Sequence, residues 1–250
     1  MELNKELKLA VLIDADNVPY SNIKGMLEEI AKYGIPTFKR IYGDWTKPTL
    51  SGWKTVLLEN AITPIQQYSY TSGKNSSDSA LIIDAMDILY TGQVDGFCIV
   101  SSDSDFTRLA TRLREAGKKV FGIGEKKTPA AFIAACNKFI FIEILQRETR
   151  EEIPVKSSQK KSTKKQMEHS SVNLSQKKLI INSINDLTED DEWVFLSTLG
   201  NHIIKKEPSF DPRNYGFKKL VDIIRMIPEI SIEERASGKG GIAHLYVRVK

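Results

Sequence analysis

Residues 8–17 read KLAVLIDADN, and the fold class follows from how that stretch is read. Five apolar residues, Leu9 to Ile13, run without interruption and stop at Asp14. A run that short, with no polar alternation, fits a strand buried on both faces. Beyond it, Ile23, Met26, Leu27 and Ile30 recur at helical spacing within residues 21–33, and Gly34 closes the segment. Asn17 is placed to cap that helix. A buried strand that ends in a carboxylate and feeds a helix is the first unit of an α/β fold.

The alternation continues down the chain. TFKRIYG (37–43) reads as a strand, LSGWKTVLLENA (50–61) as a helix and ITPIQQYSY (62–70) as a short strand. SDSALIIDAMDILY (77–90) reads as a strong helix, GFCIVSS (96–102) as a strand and DFTRLATRLREAG (105–117) as a helix. KKVFGIG (118–124), TPAAFIAACN (128–137) and KFIFIEI (138–144) add a strand, a helix and a last strand. This predicts a mostly parallel sheet flanked by helices in a domain spanning 1–147. Residues 148–175, poor in apolar residues and rich in Lys, Ser and Gln, predict a flexible linker.

Order returns over residues 176–250. Helices are expected at SQKKLIINSINDL (175–187), WVFLSTLGNHIIKK (193–206) and NYGFKKLVDIIRMI (214–227). EISIEERA and IAHLYVRVK then form a hairpin around GKGG. Three helices and a hairpin predict a small winged helix-turn-helix domain.

Composition narrows the classes. The net charge of +4 sits in the linker, because residues 155–178 hold seven lysines against Glu168 alone. Neither folded part is strongly basic, so the overall charge says little about nucleic acid. No run approaches the roughly 18 apolar residues of a membrane span. MELNKELKLAVLID lacks the pattern of a secretory signal, which makes the cytoplasm the expected compartment. Cys98 and Cys136 lie in apolar surroundings and read as buried, unpaired thiols.

Four carboxylates fall where strands end and helices begin: Asp14, Asp78, Asp103 and Asp105. In an α/β fold those places meet at one edge of the sheet. Asp78 shares the apolar face of its helix with Leu81, Ala85 and Ile88, at the N-terminal tip, so it points inward over that edge. Asp84 lies on the flank of the same helix, placed to support the cluster from behind rather than to join it. Asp105 is placed to cap the following helix and Asp103 to project into the rim. Capping and the helix dipole explain each position singly. Together the four carboxylates repel one another unless a hard cation such as Mg2+ or Mn2+ neutralises them. All three histidines, His169, His202 and His244, lie outside this region, which disfavours imidazole-based hydrolysis there.

On these residues the chain resembles an NYN domain, a branch of the PIN-like ribonucleases, over roughly residues 8–145. The resemblance is carried by IDADN at 13–17, K-x-x-x-D at 74–78 with Asp84 six residues on, and VSSDSDF at 100–106. It implies a Mg2+- or Mn2+-dependent RNA endonuclease, with Asp14, Asp78, Asp103 and Asp105 as the catalytic, metal-holding cluster and Asn17 beside it. The family usually has Gly where this chain has Ser102. The C-terminal part resembles an OST-HTH (LOTUS) domain, most specifically in FDPRNYGFKKL at 210–220. That implies a winged helix binding RNA, single-stranded or structured, or a protein partner, with Tyr215, Lys218 and Lys219 offering stacking and phosphate contacts. The expected activity is metal-dependent RNA cleavage. A silent RNA-binding adaptor and a metal-dependent phosphatase are the rival readings.

Overall fold

The structure, a computed structural model, describes residues 6–68, 76–145, 172–188, 192–236 and 243–250. Most of the expected linker, Lys74 of the K-x-x-x-D motif and the GKGG turn lie outside the described residues. The chain divides into two compact units, Met1–Pro154 and Val155–Lys250.

In the first unit the strands are β1 (Lys8–Asp14), β2 (Ile35–Gly43), β3 (Thr63–Gln66), β4 (Gly96–Val100), β5 (Lys119–Gly124) and β6 (Lys138–Phe141). Between them run the helices α1 (Ile23–Ala31), α2 (Trp53–Glu59), α3 (Ser76–Thr91), α4 (Thr107–Glu115) and α5 (Ala130–Ala135). All five pairings are parallel, in the order β3-β2-β1-β4-β5-β6. Parallel neighbours require crossover connections, which the helices supply. The last strand is shorter than the apolar run 138–144 suggests. Phe141 pairs with Gly124, where β5 ends, and with no ladder left to extend residues 142–145 turn helical.

Strand alternation sorts the apolar residues into two cores. Leu9, Val11 and Ile13 enter one with Ile23, Met26, Ile30 and Trp53 from α1 and α2. Ala10 and Leu12 enter the other with Leu81 and Ala85 of α3 and Leu109 and Leu113 of α4. Both cysteines are free and buried, one in each core. Burial pushes both thiols up, Cys136 to about 12, so neither is poised as a nucleophile.

The second unit contains α6 (Leu174–Asn185), β7 (Val194–Phe195), α7 (Leu196–Lys206), α8 (Leu220–Arg225), β8 (Ile230–Ala236) and β9 (Ala243–Val249). Its antiparallel sheet has the order β7-β9-β8. The core joins Ile180, Ile184, Leu199, Ile203, Ile223 and Ile224 of the helices to Val194 and Val247 of the sheet. This is the element order of a winged helix-turn-helix.

Three local expectations need correction. The helix expected from residue 175 begins at Leu174, because Asn173 caps it and Gln176 returns the bond to the Asn173 N–H at 2.9 Å. Val194 and Phe195 form a strand against Val247 and Tyr246 instead of opening a helix. The helix expected over 214–227 is broken. Pro212–Tyr215 form a 3-10 turn that stops at Gly216, whose φ of +82° lies in the left-handed region. Lys218 and Lys219 therefore precede α8 instead of lining a helix face. Among the described residues no helix is long and apolar enough to cross a membrane.

Candidate metal centre

β1 and β4 are neighbours, yet the chain leaves them toward opposite halves of the sheet. At such a switch point a crevice opens beyond the carboxyl ends of the strands. Asp14 is the last residue of β1, and Ser101–Asp103 follow β4 directly. Strand parity places Asp14 on the side of Ala10 and Leu12, and Ser101 on the side of Phe97 and Ile99. That is the face that α3 covers, and Asp78 sits in the first turn of α3.

Asp14 is fully buried. Asn17 Nδ2 donates to its Oδ2 at 2.6 Å, Ser101 Oγ donates to the same oxygen at 2.9 Å, and the Asp16 N–H donates to Oδ1 at 3.2 Å. Burial raises its pKa, and these three bonds pull the other way. Asn17, expected to cap the following helix, instead serves Asp14 through its amide, and the position before α1 is Asn22. Ser101, fully buried, also accepts the Asp103 N–H at 3.1 Å. Asp103 caps the 3-10 turn Ser104–Phe106 by accepting the Asp105 N–H at 2.9 Å. The capping role expected of Asp105 therefore belongs to Asp103, whose backbone is extended and free to turn its side chain back.

Among the described residues, Asp78, Asp103 and Asp105 each bring one carboxylate oxygen within 4.8 Å of the others. This group of three does not include Asp14. Asp78 is buried, Asp103 is half-buried and Asp105 is exposed, so the group runs from the interior to the rim. Burial pushes Asp78 up to about 6, with Asp14, Asp103, Asp105 and Asp16 adding repulsion. The donor set suits a hard divalent cation, since every ligand offered is a carboxylate oxygen. Asp16, exposed beside the group, receives Ser77 Oγ at 3.4 Å and lies 3.8 Å from Lys47 Nζ.

Asp84 stands apart from this group. Its two oxygens accept from Arg40 and from Tyr42 Oη on β2. The side chain ties α3 to the sheet and acts on the site only through the helix that carries Asp78. Ser102, at the position usually held by Gly, is buried, and its Oγ accepts the Glu125 N–H at 2.8 Å. The hydroxyl thus joins the turn after β4 to the turn after β5. Close by, Gly124 packs where a Cβ would lie 2.6 Å from the Ser101 carbonyl oxygen.

The residue that sequence reasoning missed is Ser101. A small polar side chain ending an apolar strand, with the parity of the α3 face, was the signal available. In the second unit, Tyr215 is half-buried, its ring 5.7 Å from that of Phe210 and packed on the core. The fold uses part of that ring for packing. Lys218 and Lys219 are exposed.

A parallel α/β sheet with carboxylates gathered at its central switch point is the arrangement of a PIN-like domain. The family model for the NYN domain matches residues 8–143, more than half of the chain, and the chain belongs to that family. The family model for the OST-HTH/LOTUS domain, an RNA-binding module, matches residues 174–242. No curated protein matches the chain significantly. Among solved structures, the chain is similar to a protein of unknown function from Vibrio parahaemolyticus. That match has 21% identity and a TM-score of 0.46, covering 56% of this chain and 94% of the other. An uncharacterized protein from Nitrosomonas europaea is 28% identical over 39% of this chain and 92% of its own, with a TM-score of 0.29. A fragment from Chromobacterium violaceum is 29% identical over 29% of this chain and 77% of its own, with a TM-score of 0.24. These likenesses are partial and bear on neither activity nor partner.

Proposed function

We propose that this chain is a divalent-metal-dependent RNA endonuclease whose C-terminal domain helps to hold the RNA. The observation that carries the reading is the convergence of Asp78, Asp103 and Asp105 oxygens within 4.8 Å at the switch point of an NYN domain. These three would hold Mg2+ or Mn2+, with Asp14 as the buried fourth charge behind them. A divalent ion there supplies positive charge to a phosphodiester and acidifies water.

The chain's own residues do the positioning. Asn17 and Ser101 hold the Asp14 carboxylate, and Ser101 and the capped turn hold Asp103. Burial and the neighbouring carboxylates push Asp78 up to about 6, and a bound divalent ion would favour its ionised form. The OST-HTH/LOTUS match and the lysine-rich stretch 155–178 support RNA as the substrate. In this reading a nuclease domain over 1–147 and a winged-helix domain over 176–250 act as one tethered pair. Lys218 and Lys219 make phosphate contacts, so binding weakens steeply with salt.

The test is cleavage of a labelled single-stranded RNA pool in Mg2+, Mn2+ or EDTA by the parent and by Asp103→Asn. Metal-dependent cutting that disappears in the variant, with RNA binding retained, is the expected result. Tight binding without cutting in any metal would replace this reading with that of an RNA-binding adaptor.

A further inference from the structure

The sheet of the second unit turns one face into the core and the other away from it. Val194, Ile232 and Val247, which lie side by side in register, face inward. Alternation sends Phe195, Glu233, Arg235, His244, Tyr246 and Arg248 to the opposite face, and Trp193 joins them just before β7. Trp193, Phe195 and Tyr246 neither belong to the core nor pack against it. Trp193 and Tyr246 lie against arginines instead, and Phe195 meets Tyr246 at a tilt. The Arg248 guanidinium lies 5.1 Å from the Trp193 ring, and Arg235 lies 5.5 Å from Trp193 and 4.6 Å from Tyr246. Phe195 continues the row, 5.6 Å from Tyr246 and 5.3 Å from His244. Glu233 orients Arg235 through two hydrogen bonds of 3.1 Å.

We propose that this face is a platform for single-stranded RNA, with unpaired bases stacking on Trp193 and Tyr246 and phosphates meeting Arg235 and Arg248. The three rings are half-buried among polar and charged neighbours outside the core, and aromatic π-faces are surfaces that every base can use. Guanidinium groups stack on rings and bind phosphate through a planar fork. Among the described residues the one carboxylate in the row, Glu233, is matched by Arg235, which leaves Arg248 as net positive charge. Among the described residues the row contains no aliphatic side chain, so there it lacks the apolar surface that docks an amphipathic protein helix. A duplex hides its base faces, which leaves single strands as the fitting form. The choice of RNA over DNA rests on the proposed ribonuclease activity.

The experiment is a fluorescence-anisotropy titration of a labelled single-stranded RNA of about 12 nucleotides with the full chain, in EDTA. Trp193→Ala and Arg248→Gln should each weaken binding roughly ten-fold or more, with unchanged thermal unfolding, while Trp193→Phe keeps most of it. A duplex of the same sequence should compete poorly. Unchanged affinity in both Trp193→Ala and Arg248→Gln, or no binding by the parent, overturns the proposal. EDTA separates the two questions. A chain that binds through this face but never cuts refutes the nuclease reading alone. One that cuts but ignores these substitutions refutes the platform alone.

Discussion

Ser101 Oγ donates to Asp14 Oδ2 at 2.9 Å between neighbouring parallel strands, joining residues 87 positions apart in sequence. The same hydroxyl accepts the backbone N–H of Asp103 at 3.1 Å. One buried oxygen therefore sets the position of two carboxylates that arrive on different strands. Such supporting contacts hold metal-binding side chains at a fixed angle and tune their basicity.

Replacing Ser101 with Ala is therefore expected to weaken Mn2+ binding by roughly 10- to 100-fold, as loss of a supporting hydrogen bond does in other metal sites. Calorimetric titration of Mn2+ into parent and variant reads this directly. An affinity equal to the parent's would show that Ser101 serves only the fold.

The second prediction concerns pH. Asp78 is held at about 6, against an ordinary 3.8. Between those values the folded chain keeps a proton that the unfolded chain has released. This group therefore lowers stability as pH rises through that window, and the loss is complete above it. In EDTA, Asp78→Asn should melt higher than the parent at about pH 7.5, and the gain should vanish by about pH 4. Thermal unfolding across that range checks the sign. Added Mn2+ should raise the melting temperature of the parent and leave the variant nearly unmoved, because only the parent retains the full ligand set.

Asp84 supports a third prediction. It is the shared acceptor for Arg40 and Tyr42, both at least partly buried. Asp84→Ala leaves two donors without their carboxylate and should cost about 1–3 kcal/mol in urea unfolding. Tyr42→Phe removes a single bond and should cost less. The double variant should show clear non-additivity, since both changes break one network.

A fourth prediction tests the break before α8. Gly216 has a φ of +82°, which costs an L-residue on the order of 1–2 kcal/mol. Gly216→Ala should lower the stability of the second unit by that amount, whereas Gly216→Asn should cost less. Amide hydrogen exchange of α8 and β9 in the full chain, read against urea, would show it.

The sheet was legible because a parallel strand buried on both faces is an unbroken apolar run, and KLAVLID and GFCIV are such runs. The places of Asp14, Asp103 and Asp78 followed from the ends of those elements. What escaped the sequence depended on contacts remote along the chain. Ser101 looks like any turn residue until β1 is laid beside β4. Val194 and Phe195 read as the start of a helix until Val247 and Tyr246 supply a partner strand. Tyr215 reads as a free ring until Phe210 and the core pack against part of it.

The strand order has a consequence for how the chain is made. β1, β2 and β3 lie on one side of the switch point and β4, β5 and β6 on the other, so the acidic crevice is closed by a pairing between early and late sequence. Synthesis from the N-terminus releases Asp14 and Asp78 well before Ser101, Asp103 and Asp105 can join them. A nascent or prematurely terminated chain ending before Gly96 thus carries half a sheet and only two of the carboxylates. The crevice forms only when β4 docks, so its four carboxylates cannot meet on a chain that stops short of that strand.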